Sequence, residues 1–296
     1  MPSQDHFYGG QAVLEGVMMR GRDHWAIAVR RPNQAIHIES HDIDSIAKRV
    51  ALFRKPGLRG VIALGQALSI GVRALTVSAN QSVEDDQQMT PRQMAGSMAI
   101  AFVLFTALFV VGPFLGFRLL RHAIPSSVLR NVLEGVLRVL LFLGYIAAIG
   151  RMKEIRRVFQ YHGAEHKTIA AYEHGEPLQA ANVDRYSTLH VRCGTNFLLI
   201  VMLLTILVYS VFAVHGVLWG IVLRVVTIPV IAGISYELLR LGARHERSLV
   251  MRALMAPGLW LQKITTRQPD QSQIEVAITS FRELLRAEGK LAPANP

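Results

Sequence analysis

A single cysteine, Cys193, stands among the 296 residues. No disulfide can form within the chain, which fits a reducing face and argues against an oxidised domain built on crosslinks. The opening stretch, Met1-Pro2-Ser3-Gln4-Asp5-His6, has neither a basic n-region nor an apolar h-region, and so predicts no cleavable signal. No phosphate loop ending in Gly-Lys-Ser/Thr occurs in the glycine-rich stretch Gly9–Gly21, and no dinucleotide fingerprint. Charge is scarce: 18% of residues carry it, against 51% that are hydrophobic, with mean hydropathy +0.30. That is too apolar for an ordinary soluble domain and too charged for a chain embedded throughout. The apolar residues must therefore be gathered into runs.

They are. Between Arg92 and Arg118 there is no charge, and Ala95 to Phe117 is almost wholly apolar. At 1.5 Å per residue such a helix crosses a hydrocarbon core of about 30 Å. A second uncharged stretch, Cys193 to Leu223, is too long for one helix. It breaks at His215-Gly216 and continues as Val225 to Tyr236, which predicts a hairpin of spans near Thr195–Val214 and Val217–Tyr236. Val139 to Gly150 is too short alone and must extend back through Arg138, Glu134 and Arg130. Those three recur at i, i+4, i+8, the spacing of an ion-pair ladder. Glu134 is also a partner for Arg224 inside the last span; the alternative is that both arginines snorkel to the outer interface. The fold expected is mainly α, a polytopic helical membrane protein of about four spans.

Net charge is +11 and the isoelectric point about 10.3, values that also suit nucleic-acid binding. The positions of Lys and Arg decide against it. Residues 1–92 hold eleven, 151–192 seven and 238–296 nine, so 27 of the 32 lie in three segments. Positive-inside bias explains that pattern without nucleic acid and makes the N-terminus, the centre and the C-terminus cytosolic. The division expected is a cytosolic α+β region over 1–92, a membrane hairpin over 93–150, a cytosolic loop over 151–194, a second hairpin over 195–237 and a cytosolic helical region over 238–296. The partner implied is the lipid bilayer, with other membrane proteins or a second copy of the chain beside it.

Within the first segment, Trp25–Arg30 and Ala35–Glu39 alternate about Arg31-Pro32-Asn33-Gln34, a hairpin signal. Residues 57–79 read as a helix that either lies on a membrane or packs against soluble structure. Glu84 to Gln88 reads as a solvated loop. Near the other end, Asp270 with Gln273 three residues on forms a capping box before Ile274, Val276, Ala277, Ile278, Phe281, Leu284 and Leu285 at helical spacing. Ala292 to Pro296 reads as a frayed tail.

The central segment carries the chemistry. It reads His162-Gly-Ala-Glu165-His166-Lys167, the H-x-x-E-H order of inverted zinc metalloproteases. On a helix the two imidazoles stand one turn apart on one face and can share a divalent metal, zinc above all, while Glu165 is placed to accept a proton from a water the ion activates. His190 and Cys193 add an imidazole and a thiol suited to a borderline ion. Glu173 recurs on a similar face, and Glu237 in Ser235-Tyr236-Glu237 is a further ligand candidate. The ligand set expected is His162, His166 and one of Glu173, His190 or Cys193. The plainer reading of Cys193-Gly194-Thr195 is a helix cap. In the N-terminal stretch Gln11, Glu15 and Arg20 are polar residues among apolar ones and count as site candidates, against the plain reading of a twisted, bulged strand.

Taken together, Gly9–Gly21, His162–Lys167, Arg192-Cys-Gly-Thr195, Ser235-Tyr-Glu237 and Ala256-Pro-Gly-Leu-Trp-Leu-Gln262 with Thr265-Thr266 resemble the YqhQ-like bacterial family. It is a domain of unknown function whose members are often labelled predicted metal-dependent enzymes, and the motifs run in order along most of the chain. The resemblance implies a bacterial inner-membrane protein with its cytosolic motifs converging on one membrane-proximal site. Two functions follow as expectations. One is a metal-dependent membrane hydrolase, with His162 and His166 on the ion, Glu165 as general base and Arg192 or Arg20 stabilising negative charge. The other is a non-catalytic factor bound to a translocon, a protease or another membrane protein.

Overall fold

Alternating apolar residues in the first forty positions build a four-stranded antiparallel meander in the computed structural model of the chain. The structure describes residues 8–44, 50, 55, 58–84, 87–120, 122–211, 217–245 and 248–291. The start at Met1–His6, Gly57, Asp85, Asp86, the break at His215-Gly216, the Arg224 side chain and the tail from Ala292 lie outside the described residues.

Strands β1 (Gly9–Val13), β2 (Gly16–Arg20), β3 (His24–Arg30) and β4 (Ile36–Asp42) pair in sequence order. The β3–β4 hairpin is the one the alternation predicts, with Arg30 opposite Ile36 and Gln34 at φ +68° in the turn. Gly9–Gly21 departs from the single bulged strand. It is a hairpin closed by a two-residue turn in which Glu15 takes φ +50°.

Strand alternation splits the sheet into two apolar faces. Val17, Met19, Ala26 and Ala28 face helices α4 (Lys153–Glu173) and α9 (Gln271–Ala287) in one core with Tyr161, Ala164, Ile274 and Phe281. Val13, Met18, Trp25, Ile27 and Val29 face α1 (Leu58–Gln81) through Ile70 and Ala74. Asp270 caps α9 with Gln273 reaching back, the box expected from the sequence.

The rest is helical: α2 (Pro91–Leu119, with a π turn at Ala107–Val111), α3 (Ser127–Ile149), α5 (Ala180–Val183), α6 (Gly194–Val211), α7 (Val217–Arg244) and α8 (Leu249–Thr265). The chain is thus mainly helical with a small antiparallel sheet. Three of its described helices, α1, α2 and α3, are long and apolar enough to cross a membrane, and α6 is a shorter apolar helix. The Arg130–Glu134–Arg138 ladder forms only in its second half. Arg138 pairs with buried Glu134 at 2.7 Å, while Arg130 turns back to the carbonyls of Ile124 and Pro125. Those carbonyls sit at the start of α3, where chain entry leaves acceptors for a nearby cation.

Phe281 is fully buried where the sheet, α4 and α9 meet, edge-on to Tyr8 and Tyr172. Phe281→Ala should therefore cost about 3–5 kcal/mol, read as a lower midpoint in thermal unfolding of the purified protein.

Candidate metal centre

Helix α4 is buried residue after residue from Gly163 to Ile169. A helix enclosed all round presents each of its side chains to a different neighbour, and the H-x-x-E-H motif is divided accordingly. At Gly163 the carbonyl of Arg267 comes so close that a Cβ would stand 2.1 Å from it. Only glycine permits that approach.

His162 and His166 do lie on one face, their rings 4.4 Å apart between centroids. His162 Nδ1 is 2.9 Å from the carbonyl of Thr265, and His166 Nδ1 is 2.5 Å from the carbonyl of Thr188. A carbonyl can only accept, so each imidazole carries its proton on Nδ1 and is left with a lone pair on Nε2. His162 Nε2 lies 3.2 Å from Cys193 Sγ, and His166 is within hydrogen-bond reach of the same sulfur. One ligand atom from each of His162, His166 and Cys193 falls within 4.8 Å of the others, and among the described residues this is the one such group of three. Burial pushes the His166 imidazole below its ordinary range, with the hydrogen bond between its ring and the Cys193 sulfur opposing. It is held neutral, the form that ligates.

Cys193 sits just before α6, where the Thr195 hydroxyl donates to Sγ at 3.2 Å and the Thr195 N–H at 3.5 Å. The capping alternative is thus present in the same residues: Asn196 donates to the Val191 carbonyl at 2.6 Å, and its N–H closes on the Cys193 carbonyl. Both contacts fall on the same sulfur, which takes the Thr195 N–H and hydroxyl and lies 3.2 Å from His162 Nε2.

Glu165 points elsewhere. Its carboxyl packs on Gly10 of β1, where a Cβ would come within 2.9 Å of the carboxyl carbon, and it takes a hydrogen bond from the Gly10 N–H. Burial raises its pKa, partly offset by the electrostatic reach of His162 and His190 and by that hydrogen bond.

The remaining candidates are dispersed. Glu173 is bonded to Arg192 and stands 3.6 Å from His190 Nε2. Burial alone would raise its carboxyl, but the bonds to His190 and Arg192 prevail and lower it. The His190 ring is 5.6 Å from that of His166. These three form a polar rim beside the His162–His166–Cys193 group and lie outside it. Glu15 takes a bidentate pair from Arg157 at 2.5 Å and a bond from the Tyr161 hydroxyl at 3.3 Å. Gln11 turns to the other sheet face, against Gly71 of α1. Arg20 donates to Gln66 at 2.7 Å, and Glu237 is bonded to Arg59 on α1. Gln11, Glu15, Arg20 and Glu237 thus hold the sheet, α1, α4 and α7 together, away from the imidazoles.

Three residues that support the centre were not among the sequence candidates. Gln262 is fully buried and pairs with both polar groups of the His190 peptide: the N–H donates to Oε1 at 2.8 Å and Nε2 donates to the carbonyl at 2.9 Å. Thr265 supplies the carbonyl for His162, and Thr188 that for His166. Gln262 had one signal, its place at the end of the Ala256–Gln262 motif that carries the family resemblance. Backbone carbonyls at Thr265 and Thr188 leave no trace in residue identity. Lys167, buried, reaches Asp184 at 2.9 Å and anchors the loop beyond α5.

Gln262→Leu leaves the buried N–H and carbonyl of His190 without their partner. A cost of about 2–4 kcal/mol is expected, measurable as a drop in thermal midpoint.

Comparison with known proteins places the chain. A family model described as "Protein of unknown function (DUF1385)" matches residues 55–287, a range that contains His162, His166, Cys193 and Gln262. The "Uncharacterized protein YqhQ" of Bacillus subtilis (strain 168) is 35% identical over 295 residues, covering 95% of this chain and 93% of that protein. No solved structure matches. The chain belongs to the DUF1385 family.

Proposed function

We propose that this chain crosses a bacterial inner membrane four times, by α2, α3, α6 and α7, and carries a metal-dependent hydrolytic site at the cytosolic face. Broad apolar exposure supports the membrane reading. Phe102 is 71% exposed, Leu119 83% and Val226 63%, far more than water tolerates in contiguous patches.

Parity supports that count of crossings. Residues before α1 (the sheet) and after α3 (helix α4) share one hydrophobic core, so they stand on one side and the crossings between them are even in number. Of α1, α2 and α3, only two can cross. α1 is the one attached to the sheet, by Ile70 and Ala74, and it lies against the end of α7 at Gly60–Gly233 and Arg59–Glu237. The same reasoning pairs α6 with α7 between α4 and α9. The Lys/Arg distribution supports the cytosol as that shared side.

The observation that carries the metal reading is the convergence of two Nε2 lone pairs on one thiol, each imidazole oriented by a backbone carbonyl. Two nitrogens and a sulfur suit zinc and leave a coordination position open. A bound divalent ion supplies Lewis acidity. Around it the chain's own residues exclude water by burial and hold His162 and His166 by Nδ1 on backbone carbonyls, while Glu165, the general base the motif offers, is turned to the Gly10 amide. A second reading, a non-catalytic factor that binds a membrane protein, is favoured by Arg192. The cation expected to stabilise negative charge is already engaged by Glu173.

Purified protein should hold about one equivalent of zinc, and His162→Ala or Cys193→Ser should lower that about tenfold. Cobalt-substituted protein should show a thiolate-to-metal charge-transfer band that Cys193→Ser removes. Zinc below about a tenth of an equivalent, unchanged by His162→Ala, sinks the metal reading.

Ser40 on β4 donates to Glu283 on α9 at 3.1 Å. In a Cys193→Ser background, Ser40→Cys and Glu283→Cys should react with an impermeant maleimide only after lysis, and Ser126→Cys in intact spheroplasts. Labelling of Ser40→Cys from outside contradicts the topology.

A further inference from the structure

Helix α8 has an inward face that belongs to the metal centre. Gly258 meets Asn196 so closely that a Cβ would stand 1.9 Å from its Oδ1, Leu261 packs with Phe142 and Phe109, and Gln262 and Thr265 hold His190 and His162. α8 therefore lies across the site-proximal ends of α3 and α6. Its outward face is exposed among the described residues.

That outward face is ordered by helical spacing. Leu249, Ala253, Ala256 and Trp260 recur at three and four residues and are all exposed, Leu249 at 78% and Trp260 at 63%. Arg252 and Lys263, also exposed, are about three turns apart and so share one border of the stripe. The helix contains no acidic residue. Leu198, Leu203 and Leu207 on α6 and Leu241 on α7 are exposed apolar residues as well.

A narrow apolar stripe with indole at its centre and cations along one side suits the boundary between acyl chains and anionic headgroups. It is too polar-edged for the hydrocarbon interior and too apolar for water. We infer that α8 is an interfacial helix, its outward stripe seated in an anionic phospholipid surface and its inward face holding the loop that carries His190 and Cys193. The inference rests on the membrane reading above. It adds that the bilayer surface itself braces the metal centre, so a substrate carried in lipid would meet the site without leaving the interface.

Trp219 on α7, 60% exposed, and Trp25, buried at 2%, complete the indoles, and this makes the test clean. The full chain is placed in nanodiscs of phosphatidylcholine and phosphatidylglycerol brominated either near the headgroup end or near the methyl end of the acyl chain. In the Trp219→Phe chain, shallow bromine should remove about half of the emission and deep bromine clearly less, since an interfacial helix is buried only about 5–10 Å. The Trp260→Phe chain should also be quenched, reporting the membrane contact of α7. Quenching of the Trp260→Phe chain with none in the Trp219→Phe chain overturns the inference and leaves the membrane reading standing. A Trp260 shielded from both bromolipid and aqueous iodide overturns it in favour of a protein partner. No quenching in either chain overturns both readings. Equal Trp260 quenching with and without phosphatidylglycerol overturns the anionic preference.

Discussion

Burial of α4 on every side between Gly163 and Ile169 is the constraint from which the arrangement follows. An enclosed helix leaves its polar side chains no solvent, so each must be met by a partner of matching chemistry. The imidazoles are met by carbonyls of Thr265 and Thr188, Glu165 by the Gly10 amide, and Lys167 by Asp184. Those partners come from β1, the 184–188 loop and the end of α8. The helix thus draws together three parts of the chain that the apolar helices otherwise separate.

The same enclosure explains why small residues occur where they do. Gly10 makes room for the Glu165 carboxyl, Gly163 for the Arg267 carbonyl, and Gly258 for Asn196. Ala26 and Ala28 on β3 let α4 and α9 approach one sheet face, and Ser280 of α9 bonds the Ala26 carbonyl. On the opposite face the bulkier Trp25, Ile27 and Val29 meet α1. A sheet of only four short strands is covered twice, and this makes it a hub for helices that precede and follow the apolar segments. Under the membrane reading, that hub decides how many helices cross: a segment whose two flanks share a core must return to its starting side.

Much of this was legible in the residues. Alternation about Arg31–Gln34 gave the β3–β4 hairpin, and the Asp270–Gln273 box with its apolar spacing gave α9. The uncharged run after Arg92 appears as α2. The i, i+4 spacing of His162 and His166 dictates a shared helical face, because side-chain direction on a helix is set by its pitch. The Gly9–Gly21 stretch was not legible as a hairpin, since a two-residue turn built on Leu14-Glu15 requires a positive φ at Glu15 that residue type does not announce.

Sequence by itself determined the periodic elements, the apolar runs and the pair of imidazoles, because each depends on residues within a few positions of one another. Tertiary structure alone set Cys193 beside His162 and His166, turned Glu173 and Arg192 to each other, and sent Gln11, Glu15, Arg20 and Glu237 to structural contacts. It also brought Gln262 to the His190 peptide across 72 positions. Such choices depend on distances between segments far apart in the chain and on backbone carbonyls, which every residue type carries alike.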